Sequence, residues 1–269
     1  MLASSGESER VMTTVWAIAN QKGGVGKSTV AVNLAVVLGR RGLRTLVCDL
    51  DPQGNAADML GASVSGRPSL CEVFEGKVAL SDTRMFEVAA GVDLVPAGDE
   101  SRLSGVEQGL VGVPAREQWL MRMMAGQVDE YAYVIVDCPP GLGQLTTNAL
   151  VAADRVISPV RLTDRNAVKG VNELVRSVLE LREVGFEVSL PEVLRVATDD
   201  RLLTVQAVRQ QLAALRLAAF VTQIPKTEAI SNAVTEGRPI VLREPRHHAA
   251  QAFVALADEM VPTTLARSA

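Results

Sequence analysis

Short apolar runs alternate along the chain with longer stretches in which apolar residues recur every three or four positions. The first pattern predicts strands, and the second predicts amphipathic helices. Strands are predicted at residues 15–20, 45–51, 92–97, 133–137, 155–161, 193–198 and 218–225. Helices are predicted at residues 29–41, 117–128, 145–152, 167–184 and 204–215.

This alternation of strands and helices predicts an α/β fold in a single domain. The predicted strands are nearly continuous apolar runs, which indicates a sheet that is buried on both faces. We therefore expect a mostly parallel, twisted sheet with helices on both faces. The 269 residues are 48% apolar, enough to bury a large core. Residues 1–13 are unpatterned, so we expect a flexible tail there and the domain itself over residues 14–265.

Composition argues against several kinds of protein. The first residues lack the apolar segment of a secretory signal, and no stretch of about 18 apolar residues could span a membrane. Three scattered cysteines are too few for a disulfide framework or a thiolate metal site. We expect a cytoplasmic protein. Its net charge of −4 argues against nucleic-acid binding by the whole surface but allows a local basic patch.

Residues 20–29 read Asn-Gln-Lys-Gly-Gly-Val-Gly-Lys-Ser-Thr and lie between a predicted strand and a predicted helix. Glycines in this setting let backbone N–H groups point at a phosphate, and the start of the helix adds positive charge. Lys27 stands where a P-loop lysine reaches the β- and γ-phosphates, and Ser28 where a hydroxyl meets Mg²⁺. The usual pattern requires glycine at position 21, which is Gln21 here, and a second lysine, Lys22, precedes the glycines. The alternative is a glycine-rich turn with two solvated lysines.

Two further strand ends carry carboxylates. Asp49 and Asp51 alternate at the end of the second predicted strand, so both side chains could share one face. In open parallel sheets, ligands bind at this end of the strands. Asp137 ends the fourth predicted strand, where an acid of the Walker B type holds Mg²⁺ beside the phosphates. For Asp51, the alternative is a helix-capping or turn aspartate before Pro52.

Together these three segments resemble the ParA/MinD family of ATPases. Lys-Gly-Gly-Val-Gly-Lys-Ser over residues 22–28 is similar to the deviant Walker A motif of that family. Residues 49–55 resemble the ParA pattern Asp-x-Asp-Pro-Gln-Gly-Asn, and residues 137–143 resemble its Asp-Cys-Pro-Pro-(Ser/Gly)-Leu-Gly. The resemblance implies a P-loop NTPase fold of the deviant Walker A type, with ATP and Mg²⁺ as cofactors.

The resemblance also assigns roles to residues. It implies that Lys22 reaches across a dimer interface to the partner's nucleotide, that Asp51 orients or activates the attacking water, and that Asp49 supports the Mg²⁺ environment. The catalytic residues are then Lys22, Lys27 and Asp51, and the metal residues are Ser28, Asp49 and Asp137. The nucleotide-binding residues are Lys22, Gly23, Gly24, Val25, Gly26, Lys27, Ser28 and Thr29, with Pro225 and Lys226 on the adenine side.

In this family, ATP joins two subunits, a partner stimulates slow hydrolysis, and the dimer binds DNA without sequence preference. The resemblance therefore implies chromosome or plasmid partition. The implied partners are a second subunit, a ParB-like stimulating protein and the duplex DNA of the nucleoid. Basic residues of the C-terminal portion are the expected DNA contacts: Arg201, Arg238, Arg243 and Arg246. The alternative is that they are ordinary solvated charges of helices and loops.

One segment departs from the family pattern. Residues 224–233 carry Lys226 and Ala229 where the family has arginines, and Glu228 adds a negative charge. The second of these arginines is often linked to DNA binding, so we expect weaker DNA binding in this chain. A ParA-like ATPase that positions a protein cargo therefore stays open as an alternative.

A MinD-like regulator is the remaining alternative. Proteins of that type end in a basic amphipathic membrane helix. The last helical stretch here carries Asp258 and Glu259 and is followed by Pro262. We therefore expect no membrane partner.

Overall fold

The structure is a computed structural model of the chain and describes residues 12–110, 112–198 and 202–261. Within these residues, eight strands form one sheet. The strands are β1 (Thr14–Ile18), β2 (Thr45–Asp49), β3 (Met85–Ala89), β4 (Val92–Val95), β5 (Tyr133–Asp137), β6 (Arg155–Arg161), β7 (Glu192–Thr198) and β8 (Ala219–Pro225).

The order of the strands across the sheet is β3-β4-β2-β5-β1-β6-β7-β8. Among these strands, β3 and β4 are antiparallel and every other neighbouring pair is parallel. The predicted mostly parallel sheet is therefore confirmed. Strand β1 lies in the middle, between β5 and β6, so its carboxyl end meets those of its neighbours at one edge of the sheet. This is the edge at which ligands bind in open parallel sheets.

Helices follow most of the strands. They are α1 (Lys27–Arg40), α2 (Asn55–Met59), α3 (Leu70–Phe74), α4 (Glu100–Leu110), α5 (Trp119–Met124), α6 (Gln144–Ala152), α7 (Ala167–Glu183), α8 (Leu203–Ala214), α9 (Glu228–Thr235), α10 (Ile240–Arg243) and α11 (His248–Met260). In the described part of the chain, none of them is long and apolar enough to cross a membrane.

The side chains of β1 show how the helices cover both faces of the sheet. Trp16 and Ile18 belong to an apolar cluster with α1 and α11, whereas Val15 and Ala17 belong to a second cluster with α5, α6 and part of α7. Successive residues of a strand point to opposite faces, so a fully apolar strand serves two cores. A third, smaller cluster joins α7 and α8 to β6 and β7. The predicted helices on both faces are confirmed.

Strand β3 was not predicted. It pairs with β4 alone at the edge of the sheet, and Phe86 and Glu87 within it are exposed. An edge strand with open sides does not need a continuous apolar run, so the pattern that identifies the other strands is absent here. Each of the seven predicted strands is present, with its ends shifted by one or two residues at most.

The helix predicted at residues 117–128 is shorter in the structure. Residues Arg116–Gln118 form a 3₁₀ turn, and α5 ends at Met124 because Ala125 leaves the helical conformation before Gly126 at φ 70°. Several short or glycine-containing helices, among them α2, α3 and α4, had no apolar period by which to predict them. The predicted tail lies outside the described residues up to residue 11, as do residues 262–265, so the domain limits stay predictions.

Candidate nucleotide site

The glycine-rich loop joins the carboxyl end of β1 to the start of α1. Gly24 and Gly26 adopt φ values of 69° and 96°, and Gly26 caps the helix in the left-handed conformation. This region strains any residue with a Cβ, which explains the glycines. Asn20 fixes the loop to β6, because its side-chain amide donates to the carbonyl of Pro159 at 2.9 Å. The predicted strand, loop and helix are therefore present as one unit.

Lys27 is the first residue of α1, and only 5% of it is exposed. Its ammonium donates to the carbonyl of Lys22 at 3.3 Å. Burial lowers the pKa of Lys27, while the nearby carboxyl groups of Asp137 and Asp51 oppose that change. The alternative of two solvated lysines is thus wrong for Lys27, which lies inside the protein next to two acids.

Asp137 lies at the end of β5, directly between the ends of β1 and β2, where it pairs in register with Ile18 and Asp49. It is fully buried, and neither carboxylate oxygen has a hydrogen-bond partner in the structure. Burial raises the pKa of Asp137 to about 7, and Asp51 adds to the rise while Ser28 and Lys27 oppose it. Buried polar atoms are nearly always satisfied, so these two oxygens indicate a ligand or water that completes the site.

A magnesium ion fits this arrangement. Mg²⁺ is bound through one or two protein oxygens, with substrate phosphates and water supplying the other ligands. The unpaired carboxylate of Asp137 and the neighbouring Ser28 hydroxyl are such donors. Within the described residues, no cluster of three or more His, Cys, Asp or Glu side chains could hold a metal by itself.

Asp49 has a role that the sequence did not predict. Its two carboxylate oxygens accept hydrogen bonds from the backbone N–H groups of Asp51, at 3.0 Å, and Ala56, at 3.1 Å. It is fully buried, and burial together with Asp137 raises its pKa well above the usual range. Asp49 therefore shapes the loop that carries Asp51, and its proposed metal role stays a prediction.

Asp51 lies just beyond β2, and 6% of it is exposed. Its Oδ1 accepts a hydrogen bond from the backbone N–H of Gln53 at 3.1 Å, which closes a turn around Pro52. The turn alternative therefore describes part of what Asp51 does. The negative charge of Asp51 opposes the lowering of the Lys27 pKa.

Lys22 points to a different partner. Its ammonium forms an ion pair with Asp164, in the loop between β6 and α7, and that contact lowers the pKa of Asp164. The Lys22 side chain is 39% exposed. Its backbone N–H donates to the side chain of Asn20, against which Gly170 of α7 packs so closely that a Cβ there would lie 2.9 Å from Asn20 Oδ1. No local pattern in the sequence pointed to Asp164, which lies 142 positions from Lys22.

A cavity of about 870 Å³ opens beside the loop. Residues from both predicted segments line it, namely Val25, Gly26 and Thr29 from the phosphate loop and α1, and Pro225 and Lys226 from the end of β8 and beyond. Arg161, Thr163 and Glu228, which were not predicted as nucleotide-binding residues, line it as well. The cavity has the size of a small-molecule site.

The predicted DNA contacts stay predictions. Arg201 lies outside the described residues. Arg238 and Arg246 are exposed. Arg243 forms ion pairs with Glu236, at 2.6 Å, and with Glu244.

Phosphate loops of this build, at the carboxyl edge of a parallel sheet, are typical of P-loop nucleoside triphosphatases, and the fold and site place the chain in that class. Residues 13–189 match the family model described as an AAA domain. The chain is 34% identical to the sporulation initiation inhibitor protein Soj of Bacillus subtilis, over 93% of this chain and 98% of Soj. It is also 34% identical to the chromosome partitioning protein ParA of Caulobacter vibrioides, over 92% and 93% of the two chains.

A solved structure is similar over the same extent. It is described as cobyrinic acid a,c-diamide synthase from Mycobacterium smegmatis with a bound ATP analogue and magnesium. The TM-score is 0.77 at 31% identity, covering 92% of this chain and 94% of that one. With these relatives and the second lysine of its phosphate loop, the chain belongs to the ParA/Soj branch of the ParA/MinD ATPases.

Proposed function

We propose that this protein binds Mg²⁺-ATP, dimerises around it, hydrolyses it slowly and acts in DNA partition. The observation that carries the proposal is the buried group of Lys27, Asp51 and Asp137, in which both carboxylate oxygens of Asp137 lack a hydrogen-bond partner. Buried charge of this kind costs free energy unless a ligand compensates it. A nucleoside triphosphate with its metal ion brings negative charge for Lys27 and positive charge for the two aspartates.

The residues divide the work of binding. The phosphate loop and the start of α1 receive the phosphates, and Lys27 neutralises charge at the β- and γ-positions. Pro225 and Lys226, which also line the cavity, accommodate the adenine. Asp137 and Ser28 would hold Mg²⁺, and Asp49 fixes the backbone of the neighbouring loop. When bound, Mg²⁺ would neutralise part of the negative charge of the phosphates.

Asp51 orients the attacking water. The water adds to the γ-phosphorus, the bond from that phosphorus to the bridging oxygen breaks, and ADP and inorganic phosphate leave. Phosphoryl transfer needs little covalent help from the protein, so its rate depends on how well the groups are positioned. We expect slow basal turnover, which a ParB-like partner accelerates.

Lys22 gives the switch its dependence on ATP. In the single chain its ammonium is paired with Asp164, so it must leave that carboxylate to reach the partner subunit's nucleotide. A triphosphate carries more negative charge than one carboxylate and therefore attracts the lysine more strongly. Without ATP, Lys22 has no stronger ion-pair partner than Asp164, and the subunits stay apart.

Partition is supported by the relatives. The Caulobacter protein is named for chromosome partitioning, and the chain matches it over nearly its whole length. Two subunits present twice the number of exposed arginines such as Arg238 and Arg246, so weak contacts with DNA phosphates become useful in the dimer.

Sedimentation with Mg²⁺-ATP, with Mg²⁺-ADP and without nucleotide tests the proposal. We expect a dimer with ATP alone and its return to monomer when a chelator removes Mg²⁺. A monomer in every condition, together with no ATP turnover, contradicts the proposal. An ATP dimer that binds no duplex DNA even at low salt keeps the ATPase switch and favours the protein-cargo alternative.

A further inference from the structure

Helix α4 contacts two segments close to the acids of the site, the loop that carries Asp51 and the start of α6, which follows Asp137 in the chain. Glu100 and Glu107 are seven positions apart, two turns of helix, and so face the same side. Glu100 accepts a hydrogen bond from the side-chain amide of Gln53, two residues after Asp51. Glu107 accepts one from the backbone N–H of Leu145 at 3.2 Å, just beyond the loop that follows Asp137.

The contact of Glu107 replaces a missing helix cap. The first N–H groups of a helix have no partner within the helix, and a side chain before it usually satisfies one of them. The residue before α6 is Gly143, which has no side chain to do so. A Cβ at Gly143 would lie 2.1 Å from Oε1 of Glu107, so the glycine leaves the space that the carboxylate occupies. The negative charge of a carboxylate at this position also interacts favourably with the positive N-terminal end of α6.

The start of α6 is joined to the phosphate loop. The Thr146 hydroxyl donates to the carbonyl of Gly141 at 3.0 Å, and the N–H of Gly141 donates to the carbonyl of Gln21 at 2.9 Å. The position of α6 thus sets the position of residues 138–143 beside the phosphate loop. At the other end of α4, the backbone N–H of Gln53 holds the Asp51 carboxylate at 3.1 Å.

We propose that Glu107 is a positioning residue for ATP hydrolysis, capping α6 from outside so that residues 138–143 keep their place, and that α4 thereby links this loop to the loop of Asp51. The inference rests on the ATPase activity proposed above. Glu107 touches neither nucleotide nor water. Its loss therefore lowers the rate of the chemical step and leaves the affinity for ATP nearly unchanged.

Steady-state kinetics of the full chain test this role. Glu107→Ala should lower kcat about five- to tenfold, the size of one capping hydrogen bond, with KM and the Kd for ATP within about twofold. Glu107→Gln should keep most of the activity, because its amide oxygen accepts the same N–H. Glu100→Ala removes a contact between two exposed side chains and should cost less than Glu107→Ala. Gln108→Ala, at the exposed neighbouring position, is the matched control.

Gly143→Ala provides a second route to the same change, since its methyl group takes the place of the Glu107 carboxylate. It should lower kcat as Glu107→Ala does, and combining the two should bring no further loss. Wild-type kcat in Glu107→Ala overturns the inference, as does a parallel loss of ATP binding, which indicates a merely structural role. In either case, turnover by wild type but not by Lys27→Ala leaves the proposed function standing. A wild type without turnover overturns both.

Discussion

The nucleotide site and the basic residues of the C-terminal portion hold their charges in opposite ways. In the nucleotide site, Lys27, Asp51 and Asp137 are all buried, and the two carboxylate oxygens of Asp137 have no hydrogen-bond partner. In the C-terminal portion, Arg238 is exposed to solvent, and Arg243 is paired with glutamates. Both sets of residues come from the same family resemblance, yet the physical support for them differs.

The difference teaches which charges are informative. A charge held inside a protein costs several kcal/mol unless something compensates it. A buried charged cluster whose polar atoms lack hydrogen-bond partners therefore indicates a ligand. An exposed ion pair contributes only about 0–1 kcal/mol and is found on most protein surfaces. Arg243, held by Glu236 and Glu244, must leave both to meet a DNA phosphate. We therefore expect large effects from changes at the nucleotide site and small ones from changes at the surface arginines.

The largest effect is expected from Lys27→Ala. It removes the cation at the phosphates and leaves Asp51 and Asp137 buried without it, so ATP turnover should fall about 100-fold or more. ATP binding by calorimetry and phosphate release are the measurements. Lys169→Ala, whose side chain is 76% exposed on α7, is the matched lysine control. If Lys27→Ala binds and hydrolyses ATP as the wild type does, the buried cluster is not a nucleotide site.

Asp51→Ala separates binding from chemistry. The phosphate loop stays intact, so the Kd for ATP should change little, while turnover should fall about 100-fold because the water loses its orienting acid. The variant should accumulate as a dimer in sedimentation with ATP. Asp51→Asn is the useful companion, since its amide oxygen can still accept from Gln53 and thus keeps the turn. Turnover that survives in both variants moves the catalytic role to another residue.

Much of the nucleotide site could be predicted from the sequence because its parts are local. The residues of β1, the phosphate loop and α1 follow one another, and Asp137 ends a strand that its apolar run identifies. Strand β3 escaped prediction because Phe86 and Glu87 in its middle are exposed, so it carries no continuous apolar run, unlike β8 at the opposite edge of the sheet.

Contacts between distant segments could not be predicted. Asp164 reaches Lys22 from 142 positions away, and Glu107 reaches Leu145 from 38 positions away, with nothing in either local pattern to pair them. Asp49 was placed at the right strand end, but a sequence does not reveal that its oxygens are taken by two backbone N–H groups. The positions of strand ends can thus be predicted from the local sequence pattern. The hydrogen-bond and ion-pair partners of the residues there depend on how distant loops fold over the site.

A smaller effect, of opposite sign, is expected from Asp164→Asn. The change weakens the hold on Lys22 within the chain, so the ATP dimer should form at about fivefold lower protein concentration, the size of one partly exposed ion pair. Sedimentation across a concentration series with Mg²⁺-ATP measures this. Combining it with Lys22→Ala is the control, because the gain should then vanish. An Asp164→Asn protein that dimerises no better than wild type shows that the pair does not restrain Lys22.

The smallest effects are expected at the surface arginines. If Arg238 and Arg246 each contact one DNA phosphate, replacing either by alanine should weaken DNA binding by the ATP dimer. The loss should be the same for every DNA sequence. It should also flatten the plot of log affinity against log salt by about 0.9 for each phosphate that the variant no longer neutralises. Arg243→Ala should change less, because its glutamate partners already offset its charge. Arg176→Ala, 81% exposed on α7 and paired with Glu180, is the matched control. If the salt slopes are the same in all four variants and the wild type, these arginines do not contact DNA. Of the two regions compared, only the buried nucleotide site would then have a function supported by its charges.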